Sequence, residues 1–405
     1  MLLLLLMTAL RVSAQNMDGN WVGKLRVGQS EVTLLFNIAT EKQEVSVVIP
    51  NLSDDTLSLP VDTLIADSIS VRIPPLMARY CGKRVDNTVK GLFAQGAFFA
   101  SMTLLREANS INRPQEPKQP YTYQTEEVKF TDAKDTVTLA GTLTYPVGFK
   151  RGRKVPVVLM VSGSGAQNRD ELMAYHKPFL VLADWLARHG IASLRYDDRG
   201  MYGSTGSFPT ATTINFANDA EAGIDYLRQR ADFSRVGLMG HSEGGAIGYI
   251  LASEGKLDFL VSLAGPAGRM DSLLMEQLNE LTFAQSGVKD YFKTIEQTRN
   301  YVLSKGDTPW MRFFLDMDLR PYVRKTRCPV FAAGGTMDGN VPVSYNVPVL
   351  KANLPANKKN VVKVYEGLNH LFQHAKTKNP VEYFNIEETF SEEVMKDISD
   401  WIYNR

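Results

Sequence analysis

The feature that most constrains this chain is a serine placed among glycines where a predicted strand gives way to a predicted helix. The stretch RVGLMG is short and apolar, which indicates a buried strand, and HSEGGAIGY follows it directly. A Gly-x-Ser-x-Gly pattern in this context predicts a sharp strand-to-helix turn, because only small neighbours let the backbone turn tightly around the serine. We therefore expect Ser242 to occupy such a turn, with Gly240 and Gly244 leaving room for it.

Strands alternate with helices from about residue 124 to the end of the chain. The apolar strands are KVPVVLMV, IASLRY, RVGLMG, LDFLVSLAG, CPVFAAGG and NVVKVYEG, and KPFLVLADWLARHG has helical periodicity. Strands buried on both faces and separated by helices predict a mostly parallel sheet with helices on both faces. A helical, aromatic-rich insertion at about 269–326 would cap the strand ends, where ligands bind in open α/β sheets.

The first part of the chain has a different pattern. Apolar and polar residues alternate in EVTLLFNI, EVSVVI and SISVRI, with turn residues between the runs, which predicts a small all-β domain over residues 15–107. Either an accessory substrate-gripping module or a packing domain fits this pattern. The stretch NSINRPQEPKQPYTY carries three prolines, so residues 108–123 are predicted to be a semi-rigid linker to the domain at 124–405.

The N-terminus reads as a leader sequence. MLLLLLMTALRVSA combines a short leucine run with small residues at the spacing that signal peptidase accepts, so residues 1–14 are expected to direct export to the periplasm or the exterior. The apolar run is too short for a spanning helix, which argues against a stable membrane anchor. Lys and Arg number 45 against 44 Asp and Glu, a balance that makes nucleic acid a poor partner. The oligomeric state is left open.

Nucleophilic use of a serine requires a base and a carboxylate that orients the base. Of the five histidines, His370 in YEGLNHLFQ follows a predicted strand on a loop near the chain end, and it is the favoured base. His374, one turn further on, is the alternative. His189 is explained by its position at a helix C-terminus. His241 is expected to point away from the adjacent serine.

The favoured acid is Asp338, in a turn that follows the strand CPVFAAGG. The chain order is then Ser242, Asp338, His370, which is the order of the α/β-hydrolases. Asp316 and Asp318 are alternatives within the insertion, where the geometry would be less usual. Asp338 could also be an ordinary turn residue.

Acyl transfer further needs donors for the developing oxyanion. The backbone N–H of Glu243 is one candidate, and the loop SGSGAQNRD offers the N–H of Ser164, with Gly165 next. The Glu243 carboxylate could bind a substrate cation or be a helix N-terminal acid.

Five further residues are candidates for contact with substrate. Gln167 and Arg169 would lie at the rim of the cleft, and His176 could line it. Phe313 and Phe314 in the insertion suggest an apolar acyl site, although aromatic residues at helical spacing also occur in cores. The two cysteines are too few for a zinc site and no His-Glu-x-x-His pattern occurs, so no metal is expected.

The motifs SGSGAQNRD, RYDDRGMYGSTG, GHSEGG, GGTMDGNVP and GLNHLF occur in this order and resemble secreted bacterial α/β-hydrolases of the serine-aminopeptidase-like and prolyl-oligopeptidase-related group, often described as carboxylesterases. The resemblance covers residues 124–405. It implies a Ser242 nucleophile, a His370 base and an Asp338 acid, with no metal or organic cofactor. Ala166 stands where such hydrolases usually carry proline.

These observations lead to a principal hypothesis and two alternatives. The first is an exported serine hydrolase that cleaves a small-molecule carboxylic ester through an acyl-serine intermediate. The second is a serine peptidase that acts on short peptides with the same residues; a small β unit in place of a propeller domain favours the esterase. The third is a non-catalytic binding protein on a hydrolase fold.

Overall fold

A computed structural model of the chain describes residues 17–27, 30–49, 53–96, 98–106 and 113–404. The predicted leader lies outside these residues. The chain forms two compact units, Met1–Asn112 and Arg113–Arg405.

The first unit is an antiparallel β-sheet in which neighbouring strands are joined by hairpins. Its strands, in chain order, are β1 (Gly19–Val27), β2 (Ser30–Ala39), β3 (Glu44–Ile49), β4 (Ser53–Ser58), β5 (Val61–Ile65), β6 (Ser68–Ile73), β7 (Ala78–Val85), β8 (Thr88–Gln95) and β9 (Phe98–Arg106). The order across the sheet is β4-β3-β2-β1-β9-β8-β7-β6-β5. Pairing of β1 with β9 joins the two runs of hairpins into one half-barrel.

Alternation of side chains gives this sheet one apolar face. Trp21, Phe36, Tyr80 and Phe93 are almost completely buried on it, and the Trp21 indole N–H donates to the carbonyl of Met17 at 2.8 Å. Because successive side chains of a strand point to opposite faces, the intervening polar residues meet solvent. The predicted all-β character of this part of the chain is confirmed.

The second unit contains a mostly parallel sheet. Its strands are β10 (Thr125–Asp132), β11 (Val137–Thr144), β12 (Val155–Val161), β13 (Ala192–Tyr196), β14 (Phe233–His241), β15 (Leu260–Leu263), β16 (Val330–Gly335) and β17 (Val361–Tyr365). They lie in the order β10-β11-β13-β12-β14-β15-β16-β17. The pairs β10–β11 and β11–β13 are antiparallel, whereas the strands from β13 to β17 are parallel.

Helices cover both faces of this sheet, as predicted. The helices are α1 (Pro178–Arg188), α2 (Thr213–Arg228), α3 (Glu243–Ser253), α4 (Met270–Ser286), α5 (Ile295–Lys305), α6 (Pro309–Asp316), α7 (Arg320–Arg324), α8 (Val343–Asn353) and α9 (Glu392–Tyr403). Strand β12 shows the arrangement: Val157 and Leu159 join the core beneath α2 and α3, while Val158 and Met160 join the core beneath α1 and α9.

Helices α4 to α6 form a cap, which is inserted between β15 and β16. The two ends of the cap are hydrogen-bonded to each other. The N–H of Met270 donates to the carbonyl of Met317 at 3.0 Å, and the N–H of Leu319 donates to the carbonyl of Gly268 at 3.0 Å. The insertion therefore leaves and re-enters the fold at one paired neck, residues 268–270 and 317–319.

Residues 113–123, which fall in the predicted linker, lie against the rest of the second unit. The Arg113 guanidinium donates to the carbonyls of Ala174 and Phe384, at 3.1 and 3.2 Å. Glu116 pairs with Lys177 at 2.9 Å. Throughout the described ranges, each helix is too short or too polar to cross a lipid bilayer.

Candidate active site

Ser242 occupies the junction between β14 and α3 in a strained backbone conformation, with φ 51° and ψ −117°. Its N–H donates to the carbonyl of Leu263 at 2.9 Å, which anchors the turn to the neighbouring strand. The flanking glycines are required by close approach. A Cβ on Gly244 would lie 2.1 Å from the carbonyl oxygen of Val161, and a Cβ on Gly240 would lie 2.1 Å from the carbonyl oxygen of Gly244. Non-glycine residues with positive φ are sparse and concentrate at functional sites.

Asp338 and His370 are brought together by two loops at the carboxyl end of the sheet, after β16 and after β17. His370 Nδ1 lies 2.9 Å from Asp338 Oδ2, and the two residues are 3% and 1% exposed. The other carboxylate oxygen, Oδ1, accepts the N–H groups of Asn340 and Val341, both at 2.8 Å. Three donors thus hold the Asp338 carboxylate in place. Because Nδ1 faces this carboxylate, the opposite edge of the imidazole, which carries Nε2, points away from it.

Ser242 and His370 line the same cavity, which has a volume of about 280 Å³. Helices α4 and α6 of the cap supply most of its apolar surface. Those side chains are Met270, Leu273, Leu274, Met311 and Phe314, with Gln277 and Trp310 beside them. The cavity therefore combines a strained serine, a buried histidine and an apolar wall from the insertion.

The loop that follows β12, residues 162–171, is fixed at several points. The Ser162 hydroxyl and the Gln167 N–H donate to the Asp198 carboxylate at 3.0 and 2.8 Å, and burial raises the pKa of Asp198 well above its ordinary value. The N–H of Gly163 donates to Glu171 Oε1 at 2.8 Å. Fixed dipoles cost no reorganisation when charge develops next to them, so such a loop is suited to oxyanion binding.

The candidate oxyanion donors differ in position. Ser164 and Glu243 both line the cavity. The N–H of Gly163 is already engaged, and among the described residues Gly165 does not line the cavity. At the first position of α3 the N–H of Glu243 has no partner within the helix. Ser164 and Glu243 thus remain as the pair of backbone donors.

The Glu243 carboxylate is 2% exposed and lies at the meeting point of the core and the cap. Its Oε1 accepts from the Thr213 hydroxyl at 2.6 Å and from the Trp310 indole N–H at 2.9 Å. Burial raises the pKa of Glu243, and these donors oppose that rise. The contact with Trp310 was not predicted, because nothing in the local sequence links two residues 67 positions apart.

His241 is more closely connected than its predicted outward orientation implies. Its Nδ1 lies 2.8 Å from Glu171 Oε1, and its Nε2 lies 2.9 Å from the backbone carbonyl of His370. The centroids of the His241 and His370 rings are 4.6 Å apart. Burial disfavours the charged ring, but Glu171, the His370 carbonyl and Asp338 together outweigh it, and the pKa of His241 is raised.

Two predicted substrate contacts lie elsewhere. Arg169 pairs with Asp197 at 2.7 Å and with Glu127 at 2.5 Å, so its guanidinium braces the sheet edge instead of lining the cavity. His176 is 0% exposed, with Nδ1 at 3.0 Å from the Thr389 hydroxyl and Nε2 at 2.9 Å from a backbone carbonyl. Both side chains are thus committed to contacts within the protein.

The remaining predicted contacts divide. Phe314 lines the cavity, whereas its neighbour Phe313 packs in the apolar cluster of the cap. The backbone of Gln167 is held by Asp198, and its side chain is absent from the cavity lining of the described residues.

The alternative acids and base lie outside the cavity. Asp316 pairs with Arg299 on α5 of the cap, and Asp318 pairs with Arg320 at the start of α7, each at 2.7 Å. His374 is exposed and pairs with Glu388 at 2.8 Å.

A second cavity, of about 710 Å³, lies along the C-terminal half of α4 and includes Glu280, Phe283 and Lys378. It contains neither Ser242 nor a histidine among its described residues. Within the described ranges no three His, Cys, Asp or Glu side chains are grouped to hold a metal ion.

Parts of this chain are similar to a known protein family and to known proteins. Residues 135–300 match the X-Pro dipeptidyl-peptidase (S15) family. Esterase EstD of Thermotoga maritima is 27% identical over 276 residues, which cover 65% of each chain. An uncharacterized protein of Salmonella typhi, YfhR, is 33% identical over 129 residues, 31% of this chain and 40% of that one. The match spans less than two thirds of the length of either relative.

Among solved structures, the esterase Pf2001 of Pyrococcus furiosus is similar at 18% identity and a TM-score of 0.48, covering 73% of this chain and 98% of that one. The fold assignment follows from this chain's own structure. A mostly parallel sheet of this strand order, a serine at a strained turn after its central strand β14, and an acid and a histidine after two later strands identify Arg113–Arg405 as an α/β-hydrolase in fold.

Proposed function

We propose that this protein is a serine hydrolase that cleaves carboxylic esters through an acyl-serine intermediate. One observation carries the proposal: the strained Ser242 and the buried His370 line one cavity, and His370 Nδ1 lies 2.9 Å from the Asp338 carboxylate. A nucleophile, a base and an orienting acid in this relation are the components of acyl transfer.

In the proposed acylation, Ser242 Oγ attacks the carbonyl carbon of the ester while His370 Nε2 takes the hydroxyl proton. Asp338 holds the imidazole in the required tautomer and stabilises its charge. The carbonyl oxygen becomes an oxyanion that accepts from the N–H groups of Glu243 and Ser164. Collapse of the tetrahedral intermediate breaks the bond to the alkoxy oxygen, which leaves as an alcohol with the proton from His370.

Deacylation repeats these steps with water. His370 takes a proton from the water as it attacks the acyl-enzyme carbonyl, and the second tetrahedral intermediate uses the same two N–H donors. Its collapse releases the carboxylic acid and returns the proton to Ser242 Oγ. One histidine thus acts as base and then as acid in each half-reaction.

The cavity supports an acyl group of modest size. Its volume of about 280 Å³ is just below the usual range for small-molecule sites, and methionine, leucine and phenylalanine supply most of its apolar lining residues. Esterase EstD is named for ester hydrolysis, and the 27% identity to it supports the same reaction type here. We therefore expect short and medium acyl chains to be preferred over long ones.

A peptidase acting on short peptides is the second candidate. The match of residues 135–300 to the X-Pro dipeptidyl-peptidase (S15) family favours it, because the matched segment contains the proposed nucleophile. The two candidates share the acyl-serine intermediate and differ in the leaving group, an alcohol in one and an amine in the other.

The deciding experiment compares nitrophenyl esters of graded acyl length with X-Pro and other dipeptide nitroanilides, using the wild type, Ser242→Ala and Ser304→Ala. Ser304 is an exposed serine on α5 of the cap and provides the matched control. Ester turnover that is lost in Ser242→Ala and retained in Ser304→Ala would support the esterase.

Other outcomes point elsewhere. Cleavage of the nitroanilides alone, dependent on Ser242, would favour the peptidase. An absence of turnover, together with no labelling of Ser242 by a fluorophosphonate probe, would leave the non-catalytic binding protein.

Export by residues 1–14 remains part of the proposal and rests on the sequence alone. Expression of the full chain in a bacterial host, followed by fractionation and N-terminal sequencing, tests it. A mature protein that begins at Gln15 outside the cytoplasm would support export, and an unprocessed cytoplasmic chain would contradict it.

A further inference from the structure

A second histidine–carboxylate pair lies directly behind the proposed base and is not used by the mechanism above. His241 and Glu171 are 3% and 1% exposed, and Nδ1 and Oε1 are 2.8 Å apart. A buried ion pair is often no more stabilising than well-packed apolar residues of similar volume. The retention of one beside the cavity therefore calls for an explanation other than stability.

The contacts of this pair reach both parts of the proposed machinery. Glu171 Oε1 accepts the N–H of Gly163, the residue before the proposed oxyanion donor Ser164. On the other side of the imidazole, His241 Nε2 lies 2.9 Å from the carbonyl oxygen of His370. One hydrogen-bonded chain thus runs from the loop after β12 to the backbone of the base.

We propose that Glu171 and His241 are positioning residues, which hold the oxyanion loop and the backbone of His370 in fixed relation to each other. This inference rests on the proposed function. Neither side chain would touch the reacting atoms: Glu171 acts through Gly163, and His241 acts through the His370 carbonyl. Reacting groups displaced by about 1 Å can cost on the order of 100-fold in rate.

The hydrogen-bond pattern also shows which ring nitrogen holds the base. A backbone carbonyl only accepts, so His241 Nε2 carries a hydrogen and donates it to the His370 carbonyl. On the opposite side of the ring, Nδ1 faces Glu171 Oε1, the atom that accepts the Gly163 N–H. Burial disfavours the charged ring, but Glu171, the His370 carbonyl and Asp338 together outweigh it, so the pKa of His241 is raised.

The His241 ring also packs against the ring of the base. Its centroid is 4.6 Å from that of His370. The charged and titratable groups that face His241 are Glu171 on the loop after β12, His370 after β17 and Asp338 after β16. A change at position 241 therefore reaches the base through a ring contact as well as a backbone hydrogen bond.

The test measures kcat and KM for Glu171→Gln, His241→Gln and the double variant, on the ester that the wild type hydrolyses best. Glutamine at 171 retains an acceptor for the Gly163 N–H, and glutamine at 241 retains a donor for the His370 carbonyl. We expect kcat to fall about 10- to 100-fold with KM within about threefold. A fall in kcat with little change in KM is the result that distinguishes positioning of the reacting groups from a loss of substrate binding.

The chain offers a matched control. Glu388 Oε2 accepts the backbone N–H of His374 at 2.7 Å and lies 2.8 Å from His374 Nδ1, an equivalent pair that is exposed. Glu388→Gln and His374→Gln should leave kcat and KM unchanged. The double variant Glu171→Gln/His241→Gln keeps the test decidable if a single variant fails to fold, since it leaves no unpaired buried charge.

Thermal unfolding and fluorophosphonate labelling of each variant separate positioning from simple loss of structure. Folded variants with wild-type kcat would overturn the inference, as would activity lost only in proportion to the unfolded fraction. An unreactive wild type would instead overturn the proposed function and, with it, this inference. That outcome is recognisable because the probe then fails to label any variant.

Discussion

The carboxylate of Glu243 accepts the indole N–H of Trp310 at 2.9 Å, which joins the residue after Ser242 to helix α6 of the cap. The same oxygen accepts the Thr213 hydroxyl at the start of α2. The cap is thus attached, through a buried carboxylate, to the first turn of the helix that carries a proposed oxyanion donor.

We expect Trp310→Phe to lower kcat/KM roughly 2- to 10-fold, the range that corresponds to a net hydrogen bond of about 0.5–1.5 kcal/mol. The ring is retained, so the loss reports the indole N–H. Steady-state kinetics on the preferred ester measures it. Trp185→Phe is the control, because the indole of Trp185 bonds to Ser399 on α9, outside the cavity. Equal kinetics for the two variants would contradict a role for the Glu243 contact.

Asp338→Asn should lower kcat by about 10⁴-fold while the protein stays folded, because the amide keeps the shape but favours the wrong tautomer of His370. Active-site titration followed by single-turnover kinetics gives the value. Asp316→Asn removes an acid that the sequence left as an alternative and that pairs with Arg299 on the cap. It should retain full activity, and the reverse result would transfer the orienting role to the cap.

Gly244→Ala should destabilise the protein by about 3 kcal/mol or more, because a Cβ there would lie 2.1 Å from a backbone oxygen that cannot rotate away. Fluorophosphonate labelling of Ser242 should fall as the turn is distorted. Chemical denaturation measures the free energy of unfolding. Gly306→Ala is the matched control: the space around its Cβ position is open and its φ is −173°, so stability should change by less than about 1 kcal/mol. Similar unfolding free energies for the two variants would refute the close-packing argument.

His176 should contribute to acid denaturation. Burial lowers the pKa of His176 from 6.5 to about 4, so between these values the unfolded chain binds the proton more readily than the folded one. The contribution of neutral His176 to the free energy of unfolding is complete above pH 6.5. This contribution is lost as the pH falls to 4, and the loss amounts to about 3 kcal/mol in total.

Urea unfolding of the wild type and His176→Gln at intervals from pH 7 to pH 4 tests this. The variant should be less stable at pH 7, where two hydrogen bonds of the ring are lost, and its stability should fall less steeply with acid. His189→Gln, at the exposed end of α1, serves as the control and should keep the wild-type slope. Parallel curves for wild type and His176→Gln would show that His176 does not titrate in this range.

Sequence reasoning reached the parts of the fold that depend on local pattern. Apolar strands between amphipathic helices predicted the layered sheet, and turn residues after strands identified Asp338 and His370 as neighbours, because parallel strands present their carboxyl ends at one edge. Ser242 was predicted from the glycines on either side of it, a pattern that is visible in the local sequence.

The direction of a side chain that follows a strand end could not be predicted from the local sequence pattern. His176 and Arg169 follow β12 much as Ser164 does, yet their side chains turn to Thr389 and Asp197, which arrive from distant parts of the chain. The contacts of Trp310 with Glu243 and of Glu171 with His241 were not predicted for the same reason. Their partners are set by tertiary packing between elements that share no spacing in the sequence.

The paired neck of the cap makes the insertion a closed excursion from the sheet. Met270 and Met317 are hydrogen-bonded to each other, so the two ends of the cap are held together at the neck itself. Strands β15 and β16 therefore do not have to close the loop between them, and the entropy cost of closing it depends little on them. We expect that this segment can be replaced as a unit, in evolution or by engineering. Such a replacement would change the acyl group that the cavity admits, while the strands that carry the reacting residues keep their register.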